Sequence, residues 1–229
     1  MKIFELNPRA PEPKLINEIA SLLKSGGIIA YPTDTFYGLG GDAFNPEVDH
    51  KIRVLKGREG TKPFPYIIDR KERLAAWRIK LSPVAVALAD RFWPGPLSLI
   101  LKDSGSLPAE ALDVRKAICL RIPDNAIARA IAGALGGLLV ATSANPSGRV
   151  AARTARAATD YFRGEIDAVV DGGPGKSLLP STIVDVSGQK VVLLREGAIS
   201  AEKVAAVVSE FDKKLYNAEG KENETRGGM

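Results

Sequence analysis

The strongest constraint on this chain's fold is its alternation of glycine-closed helical segments with short apolar runs. From Pro13 to Lys24, Leu15, Ile16, Ile19, Leu22 and Leu23 recur at helical spacing, and Gly26-Gly27 stop the helix before a buried strand at Ile28 to Tyr31. Asn45 stands as N-cap of a second helix with Pro46 in its first turn, Val48, Ile52 and Leu55 on one face, and Gly57 as its stop. Ser82-Pro83 opens a third helix to Phe92, which Pro94-Gly95-Pro96 terminates before the apolar run Leu97 to Leu101. Asp124 is the expected cap of a fourth helix containing Ile127 and Ile131, closed by Gly136-Gly137 ahead of a strand at Leu138 to Ala141. Further strands fit Ala168 to Val170, Thr182 to Val186 and Val191 to Leu194, and Ser200 caps an amphipathic helix reaching about Leu215. This order describes an α/β fold, a twisted mixed sheet flanked by helices, built as one domain over residues 1–215. Residues 216–229 are polar and glycine-rich and read as a disordered tail, where Asn223-Glu-Thr225 matches a glycosylation acceptor by chance.

Composition narrows the chemistry. The 229 residues, 45% of them hydrophobic, can fill a sizeable core. No run approaches the length of a membrane span and Met1 to Arg9 lacks a signal-peptide pattern, so a soluble, cytoplasmic protein without a membrane partner is expected. The single cysteine, Cys119, lies in the apolar run Ala117 to Ile122 and reads as a small buried hydrophobe. With only one histidine, His50, a Ser-His-Asp hydrolase or a zinc enzyme is a poor fit. Chemistry must then run on Lys, Arg, hydroxyls and amides, with a magnesium ion brought by a nucleotide rather than held by the protein. The net charge of +5 suits an anionic partner, either a phosphate-bearing small molecule or RNA.

Four segments carry the polar groups for such chemistry. In Tyr31-Pro-Thr-Asp-Thr-Phe-Tyr-Gly-Leu-Gly40 an apolar strand delivers Thr33, Asp34 and Thr35 to a glycine-spaced turn, which is either a ligand-binding strand end or a self-capped turn. Lys56, Arg58 and Lys62 gather round a helix C-terminus, where the dipole favours cations and phosphates can be gripped. Arg58 has the planar fork for two bonds at once, although a solvated basic face is the ordinary explanation of such a run. Thr142-Ser-Ala-Asn-Pro-Ser-Gly148 follows a strand with Ser143, Asn145 and Ser147 on a tight turn, which can form an anion-binding nest or satisfy its own backbone. Ser181-Thr-Ile-Val-Asp185 opens a strand with two hydroxyls, and Arg195 closes the next. Gly172-Gly-Pro-Gly-Lys-Ser177 imitates a phosphate-binding loop but has Val170 where that pattern needs glycine.

Taken together and in order, these segments resemble the YrdC-like family of threonylcarbamoyl-AMP synthases. The resemblance spans about Pro13 to Ala198 and includes Pro32-Thr-Asp-Thr35, Tyr37-Gly-Leu-Gly40, Lys56-Gly-Arg58, Lys62-Pro63, Pro94-Gly-Pro96, Arg121-Ile-Pro123, Thr142-Ser-Ala-Asn145, Ser147-Gly148, Ser181 to Asp185, and Arg195 with Gly197. It implies a YrdC-like fold with a large concave, basic cavity. It also implies an enzyme joining L-threonine, bicarbonate and ATP, with Mg2+ on the ATP, into threonylcarbamoyl-AMP for modification of a tRNA adenosine. Thr35, Arg121 and Ser181 would hold threonine; Arg58, Lys62, Ser143, Arg195 and the backbone near Ala151 would hold ATP. Lys56 and Arg58 would serve catalysis, and Thr33, Asn145 and Ser147 are further pocket candidates. The partners so implied are the substrates, tRNA and the downstream threonylcarbamoyl transferase proteins. Two departures stand out: Ile67 occupies a place where part of the family has histidine, and Ser98 replaces the usual threonine after Pro94-Gly-Pro96. The competing class is a non-enzymatic double-stranded RNA or tRNA-binding protein, motivated by the basic charge; against it, aromatics are sparse and no RNA-binding signature appears.

Overall fold

A computed structural model describes residues 1–60 and 62–222. In chain order the elements are β1 (Lys2–Glu5), α1 (Pro13–Lys24), β2 (Ile29–Tyr31), β3 (Gly38–Gly40), α2 (Pro46–Lys56), β4 (Tyr66–Ile67), α3 (Glu72–Ala76), α4 (Pro83–Phe92), β5 (Leu97–Lys102) and β6 (Ala117–Arg121). Then come α5 (Ala126–Leu135), β7 (Leu139–Val140), β8 (Thr142–Ser143), α6 (Ala155–Phe162), β9 (Ala168–Asp171), β10 (Thr182–Asp185), β11 (Val191–Arg195), α7 (Ala201–Ser209) and β12 (Leu215–Asn217). The fold is mixed α/β, and its strands divide between two sheets, ordered β1-β9-β2-β3-β8 and β12-β11-β10-β5-β6-β4-β7. Both sheets mix parallel and antiparallel neighbours, as in β2 beside β9 and β3, or β10 beside β5 and β11.

Local signals explain most elements. α1 buries Ile16, Ile19 and Leu23 against Ile127 and Ile131 of α5, while Ile29, Tyr31, Ile67 and Leu139 complete that core. The Asn45 side chain accepts from Glu47 N at 3.0 Å, and Gly57 ends α2 in the left-handed region. A second core unites Leu39, Val48 and Ile52 with Leu88 of α4, Leu99 and Leu120 of the larger sheet and Val204 of α7.

Three expectations need correction. The cap of α5 is Asn125, not Asp124: its side chain accepts from Ala128 N at 3.0 Å. α7 stops at Ser209 and its Ser200 makes no side-chain cap bond. Asp212 takes a positive φ, and buried Leu215 pairs with Val191 as the first residue of an edge strand. The segment from Tyr216 therefore begins ordered, with Tyr216 in β12 and bridged to Glu222. Residues 223–229, including the rest of the expected tail and Asn223 to Thr225, lie outside the described residues.

The two sheets meet at one seam. After β7 the chain changes sheets within a single residue, Ala141, and Thr142 pairs with Leu39. Val140 N donates to Gly41 O at 3.0 Å, and Tyr31 Oη, fully buried, reaches across to donate to Val140 O at 2.8 Å. A Cβ on Gly40 would fall on that same Val140 carbonyl, so glycine is what lets the backbones approach. Tyr31→Phe should cost about 1–2 kcal/mol by stranding a buried acceptor, and Gly40→Ala more, because backbone would have to move. Urea unfolding monitored by circular dichroism measures both.

Candidate active site

Between the edge of the smaller sheet and one face of the larger lies a cavity of about 650 Å³. Its floor is the strand-alternating set Ser98, Ile100, Ala117, Cys119, Arg121, Ser181 and Ile183, while the opposite residues Leu99, Ile118 and Leu120 face the core. Its other walls come from the β2–β3 turn, the loop after α2, β8 and Ala151. Arg58, Lys62, Arg115, Arg121 and Arg195 line it together with a single carboxylate, Asp113. Of the sequence-derived site residues, Thr33, Thr35, Arg58, Lys62, Arg121, Ser143, Ala151, Ser181 and Arg195 stand on this cavity.

The hydroxyls have assignable directions. Thr33 Oγ1 gives its only proton to Phe36 O at 2.6 Å, so in its 3.1 Å contact with Thr35 Oγ1 the latter is the donor. Thr35 Oγ1 keeps acceptor capacity toward the cavity beyond its long contact with Arg121, and that capacity suits an amine or ammonium. Arg121 NH1 sits 3.5 Å from that oxygen and donates to Asp34 Oδ1 at 3.0 Å. On the facing wall Arg195 donates through Nε to Ser181 O and through NH2 to Ser181 Oγ, both at 3.0 Å. Ser98 Oγ lies 3.1 Å from Ser181 Oγ, so the residue replacing the usual threonine takes part in the network.

Arg58 leans over the Phe64 ring, 4.9 Å from its centroid, and donates to Lys62 O at 3.2 Å. Burial lowers the pKa of both Arg58 and Arg195, a sign that each guanidinium is partly stripped of water. Neither is engaged by a carboxylate among the described residues, in contrast with Arg115, which Asp113 and Asp185 hold on both sides. Unneutralised, half-desolvated guanidiniums of this kind are suited to phosphate.

Three expected site residues stand off the cavity. Lys56 is buried, and its ammonium donates to Ser143 O at 2.6 Å and Asn145 O at 2.7 Å. Those bonds direct the ammonium into the 142–147 turn, and Lys56 does not line the cavity. Asn145 closes the same turn by donating to Pro146 O and Arg149 O, and Ser147 N is tied to Lys56 O. Cys119 is a floor residue rather than part of the core, and burial pushes its thiol up to about 12, so it stays protonated. Ile67 is fully buried in the core beneath α1 and α5 and lines no part of the cavity. The glycines of the phosphate-loop imitation have a packing role: Gly175 donates to Arg153 O, and a Cβ on it would strike the Thr35 carbonyl.

Sequence reasoning left the contributions of Asp113, Arg115 and Ile100 unseen, because nothing in their local pattern marks a cavity floor; Ser98 was signalled by its place after Pro94-Gly-Pro96.

The family model Sua5_yciO_yrdC, described as "Telomere recombination", matches residues 21–197. The chain belongs to this family. Among its Sua5/YciO/YrdC relatives, a threonylcarbamoyl-AMP synthase of Thiobacillus denitrificans is 38% identical over 170 residues, covering 74% of this chain and 90% of that protein. One from Pyrococcus abyssi is 32% identical over 209 residues, covering 91% of this chain but only 61% of the longer relative. The structure of P. abyssi Sua5 complexed with L-threonine superposes with a TM-score of 0.85 at 29% identity, over 96% of this chain and 67% of that one.

The pKa of Lys56 is testable. Burial, followed by the neighbouring charge of Arg58, pushes it down from 10.5 to about 8. Between these values the unfolded chain binds more protons than the folded one, so this group's contribution to stability rises with pH across that window. The stability of the wild type relative to Lys56→Met should therefore increase from pH 8 to pH 10, read by urea unfolding at each pH.

Proposed function

We propose that this chain is a threonylcarbamoyl-AMP synthase, converting L-threonine, bicarbonate and ATP into L-threonylcarbamoyl-AMP, pyrophosphate and water. The observation that carries the reading is one cavity with two kinds of grip. Thr35, Arg121 and Ser181 offer an acceptor, a guanidinium and a hydroxyl, a set that matches the ammonium, carboxylate and hydroxyl of an amino acid. Arg58, Lys62 and Arg195 offer cations free of carboxylate partners among the described residues, and Ser143 with the backbone at Ala151 stands beside them for the nucleotide. The relatives' names and the threonine complex of P. abyssi Sua5 support the same assignment.

In this reading the threonine amine attacks the carbon of bicarbonate with loss of water, or the carbon of carbon dioxide formed by dehydration of bicarbonate with loss of a proton, and either route gives an N-carboxylate. One oxygen of that carboxylate then attacks the α-phosphorus of ATP, and the bond to the pyrophosphate oxygen breaks. No protein nucleophile is consumed. The chain's contribution is to collect the reactants and to neutralise charge on the α-phosphate and departing pyrophosphate. Magnesium would travel with the triphosphate, where it offsets negative charge; no three His, Cys, Asp or Glu side chains converge to cage a metal among the described residues.

The product's mixed anhydride fits transfer to a tRNA adenosine next to the anticodon by partner proteins in the cytoplasm. No helix among the described residues is long and apolar enough to cross a membrane. The non-enzymatic RNA-binding alternative is not favoured, because it leaves the convergence of threonine-type and phosphate-type groups on one cavity without a purpose.

Pyrophosphate release on mixing protein, ATP, magnesium, threonine and bicarbonate is the test, and release indifferent to omission of threonine or bicarbonate would overturn the reading. Arg58→Ala or Arg195→Ala should lower turnover by about 100-fold with the fold intact. Thr35→Ala should raise the KM for threonine and spare that for ATP, and equal loss of both would remove Thr35 from its role.

A further inference from the structure

We infer that Asp34 is a positioning residue for the amino-acid substrate: it fixes the Arg121 guanidinium from behind so that the remaining nitrogens face the cavity. The inference rests on the threonine-binding reading above. The Asp34 and Arg121 side chains are 7% and 8% exposed, so both ions are almost wholly removed from water. Such a pair is a poor source of stability, since desolvation consumes most of its attraction.

The geometry divides the two partners. Only NH1 of Arg121 is engaged, donating to Asp34 Oδ1 at 3.0 Å and approaching Thr35 Oγ1 at 3.5 Å. Nε and NH2 have no acceptor among the described residues, and Arg121 lines the cavity, so these two form the open edge of the fork. A guanidinium held by one nitrogen and open at the other edge matches a carboxylate in two parallel bonds. The α-carboxylate of threonine is the group of that chemistry in the proposed reaction.

Asp34 itself does not line the cavity. Its Oδ2 is buried without a hydrogen-bond partner among the described residues. That placement rules against Asp34 as the base that takes a proton from the threonine amine, because the amine has no route to it. It also explains the one-sided contact, since a two-bond clamp by Asp34 would occupy the edge the substrate needs. Ile67 pairs with Arg121 across β4 and β6 and brings an apolar side chain to the place where part of the family has histidine. Neither residue of β4 gives Arg121 a side-chain hydrogen bond, so among the described residues the guanidinium is held by Asp34 and, at longer range, by Thr35 Oγ1.

The test is steady-state pyrophosphate release by the full chain, with threonine varied at saturating ATP and ATP varied at saturating threonine, alongside calorimetric titration of threonine. Asp34→Asn keeps the size of the side chain and removes its charge. It should raise the KM and Kd for threonine about tenfold or more while leaving the KM for ATP within about twofold. In an Arg121→Gln background the same change should add nothing further, because Asp34 acts only through Arg121. If melting shows that Asp34→Asn is unfolded, Asp34→Glu replaces it: the charge stays, Arg121 is pushed out of place, and the same threonine-only loss is expected.

Unchanged threonine affinity in a folded variant overturns the inference, as does an equal loss for ATP and threonine. A fall in kcat with a displaced pH profile and unchanged threonine KM would instead make Asp34 a base and also overturn it. A wild type that binds threonine but releases no pyrophosphate counts against the proposed reaction alone, since the calorimetric comparison still reads Asp34. A wild type that does not bind threonine overturns both.

Discussion

The contact on which the rest depends is the seam at Val140, where the two sheets are joined by backbone and side-chain bonds. Tyr31 donates across it, Gly41 accepts from it, and the lack of a Cβ at Gly40 permits the approach. The seam sets how far the Thr33–Thr35 turn stands from the floor strands β5, β6 and β10. Thr35 lies in the turn between β2 and β3 of the smaller sheet and Arg121 ends β6 of the larger, so their 3.5 Å separation depends on how the two sheets meet rather than on either element alone.

Long-range placement also governs the electrostatics. Arg58 leaves the C-terminus of α2, Arg195 ends β11 and Arg121 ends β6, and all three converge on one cavity from separate parts of the chain. Each has a different counterpart: an aromatic ring, a serine, and a buried aspartate. Charge that is left unneutralised at Arg58 and Arg195 is available to phosphate, whereas the half-neutralised Arg121 suits a smaller carboxylate.

How much of this was legible depends on the range of the signal. The helices α1, α2 and α4 were readable to within a residue because their capping and stop signals lie within the segment itself. The split into two sheets was not, because Leu138 to Ala141 looks like one strand and only three-dimensional pairing shows Thr142 joining the other sheet. β4, with two residues, and β3, made of Gly38-Leu39-Gly40, carry too little pattern to be seen as strands. At the site, residue types alone left each segment open, and it was the resemblance carried by the ordered motifs that pointed to nine residues now found on the cavity. Neither could show that Lys56 points away into the 142–147 turn, since a lysine beside a phosphate and a lysine beside two carbonyls look alike in one dimension.

The loop from Gly172 to Gly175 has a mechanical consequence. Tyr37 Oη holds the Gly173 carbonyl at 2.8 Å, and the α-carbon of Gly175 rests directly behind the Thr35 carbonyl. Thr35 is therefore backed by peptide rather than by a side chain that could rotate aside. A side chain at Gly175 would press on that carbonyl and shift the turn that presents the Thr35 hydroxyl, so a residue far along the chain helps to set where that hydroxyl stands.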